Sequence, residues 1–187
     1  MNIVVQTASG RIIVRPDTTW EKDNENLYVP DFVNSLSWSP VLTVRICKPG
    51  RSVSAKFASR YYNSIGMGVL LYPDELLLGG EEGYACASCL DHTSFIPSPE
   101  LPSEIANAVK IKISIDGKEI FENTAPLSKE MIDKAVENAT KYCYVRIGDI
   151  LSIELCPRMP LCTRQMAHCR VTGGCNDMLQ TDFEIIF

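Results

Sequence analysis

Short runs of alternating hydrophobic and polar residues recur along the chain and predict a protein built mainly from β-strands. The run NIVVQT is followed by the turn Ala8-Ser9-Gly10 and the run RIIVR, which predicts an N-terminal hairpin. In VKIKISIDGKEIFEN, the aliphatic residues from Val109 to Ile115 alternate with lysine and serine, so one face of this strand is predicted to be buried. The pair Asp116-Gly117 is typical of a type I′ turn and predicts a second hairpin here.

The centre of the chain carries its longest hydrophobic pattern. A strand is predicted over residues 41–47, and a second strand over residues 66–72. Between them, Ser54 is a suitable N-cap for a helix that we expect to extend through residue 63. The glycine- and glutamate-rich stretch of residues 76–83 is predicted to be a loop.

A second helix is predicted after Ser128, a suitable N-cap that is followed by Glu130 in the first turn. Apolar residues continue at helical spacing, at Met131, Ala135, Val136, Ala139 and Tyr142. Strands are predicted over residues 150–156 and, after a cysteine-rich loop, over residues 181–187. Many short strands with about two helices favour a β-rich α+β fold.

Length and charge restrict the classes of protein that this chain can belong to. Its 187 residues predict a single domain. A net charge of -5 and a pI near 5.1 argue against a nucleic acid or an anionic membrane as partner, because both require a basic face. The chain begins without the features of a signal peptide, and its longest apolar run, residues 68–73, is too short to span a membrane. We therefore expect a cytoplasmic protein, with most of its eight cysteines as reduced thiols.

Five segments of the chain, taken in order, resemble the fumarylacetoacetate hydrolase superfamily. The match extends from about Val41 to Leu155, and its segments are LTVRICKPGRSV, SAKFASRYYNSIGMGVLLY, LDHTSFIPSPELP, ISIDGKEIFENTAPLSKEMI and VRIGDILSIE. The resemblance implies a mixed β-roll formed by residues 1–187. Residues 1–40 would add a hairpin and an extended segment to a core of residues 41–155, and residues 156–187 would form the cysteine-rich loop and a final strand.

The resemblance also implies a homodimer that binds Mg²⁺ or Mn²⁺ and cleaves or rearranges C–C bonds in β-diketo or oxo acids. In the register that aligns the first strand, the positions of the family's metal-binding carboxylates are occupied by Ser39, Val41 and Tyr72. None of these residues is a carboxylate, and a hard divalent cation needs clustered carboxylate oxygens. We therefore expect no metal cofactor and no identifiable catalytic residue, as in a pseudoenzyme that retains a pocket for a small oxo-carboxylic acid or a surface for a protein partner.

The sequence is also compatible with two other functions. The chain could be an active hydrolase, decarboxylase or isomerase of this superfamily whose ligands come from other positions. That hypothesis requires Asp74, Glu75, Asp91 or Glu154 to converge in one cleft. The candidates for binding a small acid are Arg51, Asp91, His92 and Thr124, and the last is suggested by the resemblance alone. A solvated turn explains Asp91 and His92 equally well.

The second alternative is a zinc-stabilised binding module. Both histidines of the chain lie close to cysteines, and thiolate and imidazole are the ligands that zinc prefers. The candidate ligands are Cys86, Cys89, His92, His168 and Cys169. Their spacing fits no standard zinc ribbon or finger, so partly buried loop thiols are the competing interpretation. A nucleophilic pair between Cys86 or Cys89 and His92 is a further hypothesis.

Overall fold

The computed structural model describes residues 1–97, 100–123 and 125–187. Strands dominate the described residues. In chain order they are β1 (Asn2–Gln6), β2 (Ile12–Pro16), β3 (Trp20–Glu21), β4 (Leu27–Tyr28), β5 (Ser35–Ile46), β6 (Tyr62–Pro73), β7 (Ser94–Phe95), β8 (Leu101–Pro102), β9 (Ile111–Ile115), β10 (Lys118–Glu122), β11 (Ile150–Glu154), β12 (Met159–Thr163), β13 (His168–Cys175) and β14 (Met178–Ile186). The helices are α1 (Ala55–Ala58), α2 (Asp74–Leu77), α3 (Gly80–Ala87) and α4 (Lys129–Tyr142), with 3-10 turns at Asp17–Thr19, Ser103–Ala108 and Arg164–Met166.

The strands form two sheets. The larger has the order β2-β1-β11-β5-β6-β7-β3, with β12 added to β5 and β8 added to β6. The smaller has the order β10-β9-β13-β14-β4. Both sheets are mixed, since β1 runs parallel to β11 and β14 runs parallel to β4. The β-rich α+β class and the mixed β-roll predicted from the sequence are confirmed.

Both predicted hairpins are present. β1 pairs with β2, and the Thr7 amide donates to the Arg11 carbonyl across a turn in which Gly10 has a φ of 81°. β9 pairs with β10 around Asp116 and Gly117, whose φ values of 50° and 78° are those of a type I′ turn. Local turn chemistry was therefore a reliable guide at these two sites.

The predicted second helix is α4. The Ser128 side chain accepts a hydrogen bond from the Met131 amide at 3.1 Å, as an N-cap does. The apolar stripe of α4 packs into the core through the buried side chains of Ile132, Ala135, Val136 and Ala139. Buried side chains of the strands and of α4 thus pack together in one hydrophobic cluster.

The helix predicted through residue 63 is wrong, because α1 ends at Ala58 and β6 begins at Tyr62. Pairing with β5 overrides the local helical pattern, and the buried Tyr62 lies opposite Ile46 in that ladder. Gly66, predicted to begin the second strand, lies inside β6 opposite Thr43. The Ser54 side chain makes no capping hydrogen bond, which fits a helix of a single turn.

Two predicted loops are also wrong. The glycine-rich stretch forms α2 and α3, and Gly83 is packed so closely on the Leu76 carbonyl that a β-carbon would clash with it. The cysteine-rich loop contains β12 and β13, and alternate residues of β13 are buried, among them Cys169 and Cys175. Cysteine behaves here as a small hydrophobic residue, and all eight cysteines are free thiols.

A second, smaller hydrophobic cluster lies on the face of the larger sheet opposite to the main cluster, and this second face is named the inner face. It includes Ile3, Val5, Val41, Leu70 and Tyr72. Among the described residues, no helix is long and apolar enough to cross a membrane. The inner face of the larger sheet is where the candidate site is found.

Candidate functional site

Ser39, Val41 and Tyr72 lie together on the inner face of the larger sheet. In the ladder between β5 and β6, Ser39 is opposite Leu70 and Val41 is opposite Gly68, while Tyr72 follows Leu70 by two residues. Residues two apart on a strand share a face, so the three side chains point to the same side. All three are fully buried. The structure therefore brings together the positions that the resemblance aligned with metal ligands.

Tyr72 and Glu154 form the polar centre of this face. The Tyr72 hydroxyl donates a hydrogen bond to Glu154 Oε1 at 2.9 Å. Glu154 is opposite Val41 in the ladder between β11 and β5, and its Oε2 accepts from the Ala8 amide at 2.9 Å. Both carboxylate oxygens are thus hydrogen-bonded by groups of the protein.

Arg15 is a buried cation on the same face, and sequence reasoning did not single it out. Its Nη1 donates to the Thr93 carbonyl at 3.0 Å and to Ser94 Oγ at 3.0 Å, and its Nη2 donates to the Leu71 carbonyl at 2.8 Å. The guanidinium carbon lies 4.4 Å from the centre of the Tyr72 ring. These bonds join β2 to β6 and β7, so Arg15 crosslinks distant strands of the curled sheet. The alternation of RIIVR, which puts Arg15 on the face of Ile13, was the available signal.

Burial raises the pKa of Tyr72 well above its ordinary value of 10.0. The Arg15 charge opposes this shift in pKa, and the Glu154 carboxylate adds to it. Burial also raises the pKa of Tyr84, again helped by Glu154. Both phenols therefore stay protonated at neutral pH, and the Tyr72 hydroxyl donates its proton in the hydrogen bond to Glu154.

A pocket of about 920 Å³ opens beside Glu154. The turn of the first hairpin forms one wall, α3 forms another, and the segment after β11 forms a third. The charged or hydroxylated residues that line it are Thr7, Ser9, Arg11, Glu81, Tyr84, Glu154 and Arg158. The Arg158 guanidinium lies 4.8 Å from the ring centre of Tyr84 and 5.2 Å from that of Tyr72. Glu154 thus links the buried centre to a cavity that a small molecule can enter.

The residues of this centre do not fit a Mg²⁺ or Mn²⁺ ion. The three aligned positions offer a serine hydroxyl, a valine side chain and a phenol where such an ion needs carboxylates. Both oxygens of the nearby Glu154 carboxylate are hydrogen-bonded by the protein, and a guanidinium lies beside the phenol. Within the described ranges, no group of three or more histidine, cysteine, aspartate or glutamate side chains is placed to hold a metal ion.

The alternative carboxylates do not form such a cluster either. Asp74 accepts a hydrogen bond from the Ser37 hydroxyl, and Glu75 Oε1 accepts from the Ser35 hydroxyl at 3.4 Å. Asp91 is exposed in a turn. Glu154 is the carboxylate of this set that lines the pocket.

Of the residues suggested for acid binding, Arg51, Asp91 and His92 lie outside the pocket lining. Arg51 is exposed in a segment held against α4 by the hydrogen bond from the Ser52 amide to the Thr140 carbonyl. His92 has a φ of 54°, and its Nδ1 lies 3.1 Å from Glu21 Oε2. Thr124 lies outside the described residues.

The structure does not bring the suggested zinc ligands into one cluster. Cys86 and Cys89 are exposed at and just after the end of α3. His168 and Cys169 begin β13 in the other sheet. The side chain of Cys169 interacts with Cys162, and His92 contacts Glu21 instead of either nearby thiol.

Three solved structures show what this fold is similar to. No protein-family model and no curated protein matches the chain. A protein assigned to the fumarylacetoacetate hydrolase family from Yersinia pestis CO92 has a TM-score of 0.82 and 16% identity, and the match covers 99% of this chain and 92% of that one. A 2-hydroxyhepta-2,4-diene-1,7-dioate isomerase from Mycobacterium marinum has a TM-score of 0.84 and 14% identity, over 99% of this chain and 74% of that one.

The third is the fumarylpyruvate hydrolase from Pseudomonas aeruginosa in complex with Mn²⁺ and pyruvate. Its TM-score is 0.80 and its identity 12%, over 100% of this chain and 90% of the hydrolase. At these identities the likeness concerns the fold. The chain therefore has the fold of the fumarylacetoacetate hydrolase superfamily, as the order of its sequence motifs predicted.

Proposed function

We propose that this protein binds a small oxo-carboxylic acid in the pocket beside Glu154 and does not turn it over with a metal ion. The observation that carries this proposal is the composition of the buried centre. Ser39, Val41 and Tyr72 share one inner face, and together they present no carboxylate to a metal ion. A hard divalent cation would have to lose its water there with only the nearby Glu154 carboxylate to offer charge, and both oxygens of that carboxylate are already hydrogen-bonded.

The charges of the pocket favour an acid as the ligand. Arg11 and Arg158 line it, and arginine is the side chain whose planar fork matches a carboxylate with two parallel hydrogen bonds. The protonated Tyr84 adds a donor near Arg158. The neighbouring fumarylpyruvate hydrolase was solved with pyruvate, a small oxo acid, which supports the same class of ligand here.

Calorimetric titration with pyruvate and with oxaloacetate, in buffer containing EDTA, tests the proposal. We expect binding without added metal. We expect Arg158→Gln to weaken it by about 10-fold to 100-fold, because a hydrogen bond to a charged group contributes about 1.5–3 kcal/mol. Arg146→Gln is the matched control, since Arg146 is exposed and lies outside the pocket lining.

The same experiment separates this proposal from an active, metal-dependent enzyme. Binding that requires Mn²⁺, or Mn²⁺-dependent cleavage of an acylpyruvate, would overturn it. Equal loss of binding in Arg158→Gln and Arg146→Gln would show that the acid does not bind in this pocket.

A further inference from the structure

Arg15 carries a buried positive charge, and within the described part of the chain no carboxylate is hydrogen-bonded to its guanidinium. Its side chain is fully buried. Its hydrogen bonds go to the carbonyls of Leu71 and Thr93 and to the hydroxyls of Thr93 and Ser94, all of which are uncharged. Isolated charges are rare in protein interiors because desolvation is costly. The hydrogen bonds to these uncharged oxygens offset part of that cost for the Arg15 guanidinium.

The oxygens around Arg15 belong to the part of the sheet that carries the three aligned positions. Ser94 is opposite Leu70, and Leu70 is opposite Ser39, so the three lie in one row across β7, β6 and β5. The guanidinium bonds to Ser94 at one end of this row and lies 4.4 Å from the centre of the Tyr72 ring. A cation is therefore already present next to the positions where the fold would place a metal ion.

Charge and coordination both oppose a second cation at this place. Two like charges repel strongly in a poorly polarisable interior, and the repulsion doubles when one of them is divalent. The oxygens of Leu71, Thr93 and Ser94 are already hydrogen-bonded to the guanidinium, so a hard cation could use them only by displacing Arg15. The face of Tyr72, rich in π-electron density, adds a further attraction for the guanidinium.

We infer that Arg15 is the fixed cation of this interior: it supplies the positive charge beside Tyr72 and Glu154, and it excludes a divalent metal ion from the same place. This inference does not depend on which ligand enters the pocket. Arg15 keeps a metal ion out of the site in two ways. Its positive charge repels the ion, and its guanidinium hydrogen-bonds oxygens that the ion could otherwise bind.

Replacing Tyr72 by aspartate tests the inference in a protein that keeps Arg15. We expect the melting temperature of Tyr72→Asp, relative to that of its isosteric control Tyr72→Asn, to rise as the pH increases from about 2 to about 5 and to stay level above that. A carboxylate stabilised by a neighbouring cation has a lowered pKa, and its stabilising effect is present above the unfolded pKa. A buried carboxylate without a neighbouring cation has a raised pKa and gives the opposite slope. A difference that stays constant from about pH 2 to about pH 5, or that falls between about pH 4 and about pH 7, would overturn the inference.

Metal binding is the second readout. Ser39→Glu and Tyr72→Asp would be combined, once with Arg15 retained and once with Arg15→Met, and each protein titrated with Mn²⁺ by calorimetry. We expect binding at least about 10-fold tighter in the Arg15→Met background, about 1.4 kcal/mol. Equal affinity in the two backgrounds, or no binding in either, would overturn the exclusion of metal by Arg15. If Arg15→Met does not fold, the pH slope of the two Tyr72 variants decides the question.

Discussion

The Tyr72 hydroxyl donates a hydrogen bond to Glu154 Oε1 at 2.9 Å, and this contact connects β6 with β11 across the inner face of the larger sheet. Tyr72 occupies a position that the superfamily resemblance assigns to a metal-binding aspartate. Its partner Glu154 comes from a different strand and also receives the Ala8 amide. A neutral phenol and a hydrogen-bonded carboxylate therefore form the centre of this site.

Tyr72→Phe is expected to reduce the free energy of unfolding by about 1–3 kcal/mol. The substitution keeps the ring and removes the donor, which leaves an oxygen of the largely buried Glu154 without its partner. Urea denaturation followed by fluorescence measures the change. Tyr142→Phe is the control: this tyrosine is 71% exposed, and we expect a change within about 0.5 kcal/mol. Equal losses in the two variants would show that the Tyr72–Glu154 bond does not stabilise the protein.

Stability is expected to fall as the pH rises above about 10. The pKa values of Tyr72, Tyr84 and Tyr62 are raised in the folded state, mainly by burial. The unfolded chain then loses protons at a pH where the folded chain keeps them, so alkali favours unfolding. Melting temperatures between about pH 8 and about pH 11 test this, and we expect a shallower decline in Tyr72→Phe than in the wild type. An unchanged decline would contradict the buried, protonated state of Tyr72.

The sequence predicted well those elements whose signals are local. The turn at Asp116-Gly117 and the cap at Ser128 depend on a few neighbouring residues, and both formed as expected. The helix expected through residue 63 failed because the β5–β6 ladder determines the conformation of Tyr62 and Gly66. Such long-range pairing leaves no local signature in a single sequence.

The residues of the candidate site were likewise predicted only in part from the sequence. The resemblance placed Ser39, Val41 and Tyr72 together, and the structure does so. Arg15 and Arg158 were not singled out, because their roles arise when the first hairpin and the segment after β11 meet α3 and β6. Nothing in the sequence around Arg15 or Arg158 indicates that both side chains pack against Tyr72.

Ser128→Ala is expected to cost about 1 kcal/mol of stability, because the Met131 amide loses its side-chain acceptor at the start of α4. Ser54→Ala is the matched control, since the Ser54 side chain makes no capping bond before α1. Thermal denaturation compares the two. A loss in Ser54→Ala as large as that in Ser128→Ala would contradict the assignment of the cap.

Gly83→Ala is expected to destabilise the wall of the pocket formed by α3. The added β-carbon would meet the backbone carbonyl of Leu76, which cannot move aside as a flexible side chain does. We expect a loss of about 1–3 kcal/mol in chemical denaturation. At Gly80, at the start of the same helix, a β-carbon meets no atom within 4 Å, but the φ of 67° disfavours alanine. Gly80→Ala is therefore expected to cost only about 1 kcal/mol, the conformational penalty alone.

Titration of the metal-free wild-type protein with Mn²⁺, followed by calorimetry, tests most directly whether the interior around Arg15, Tyr72 and Glu154 works without a metal. We expect no saturable binding, and the same affinity for pyruvate with Mn²⁺ as with EDTA. Stoichiometric binding of one Mn²⁺ per chain that strengthens the binding of pyruvate would contradict the proposal.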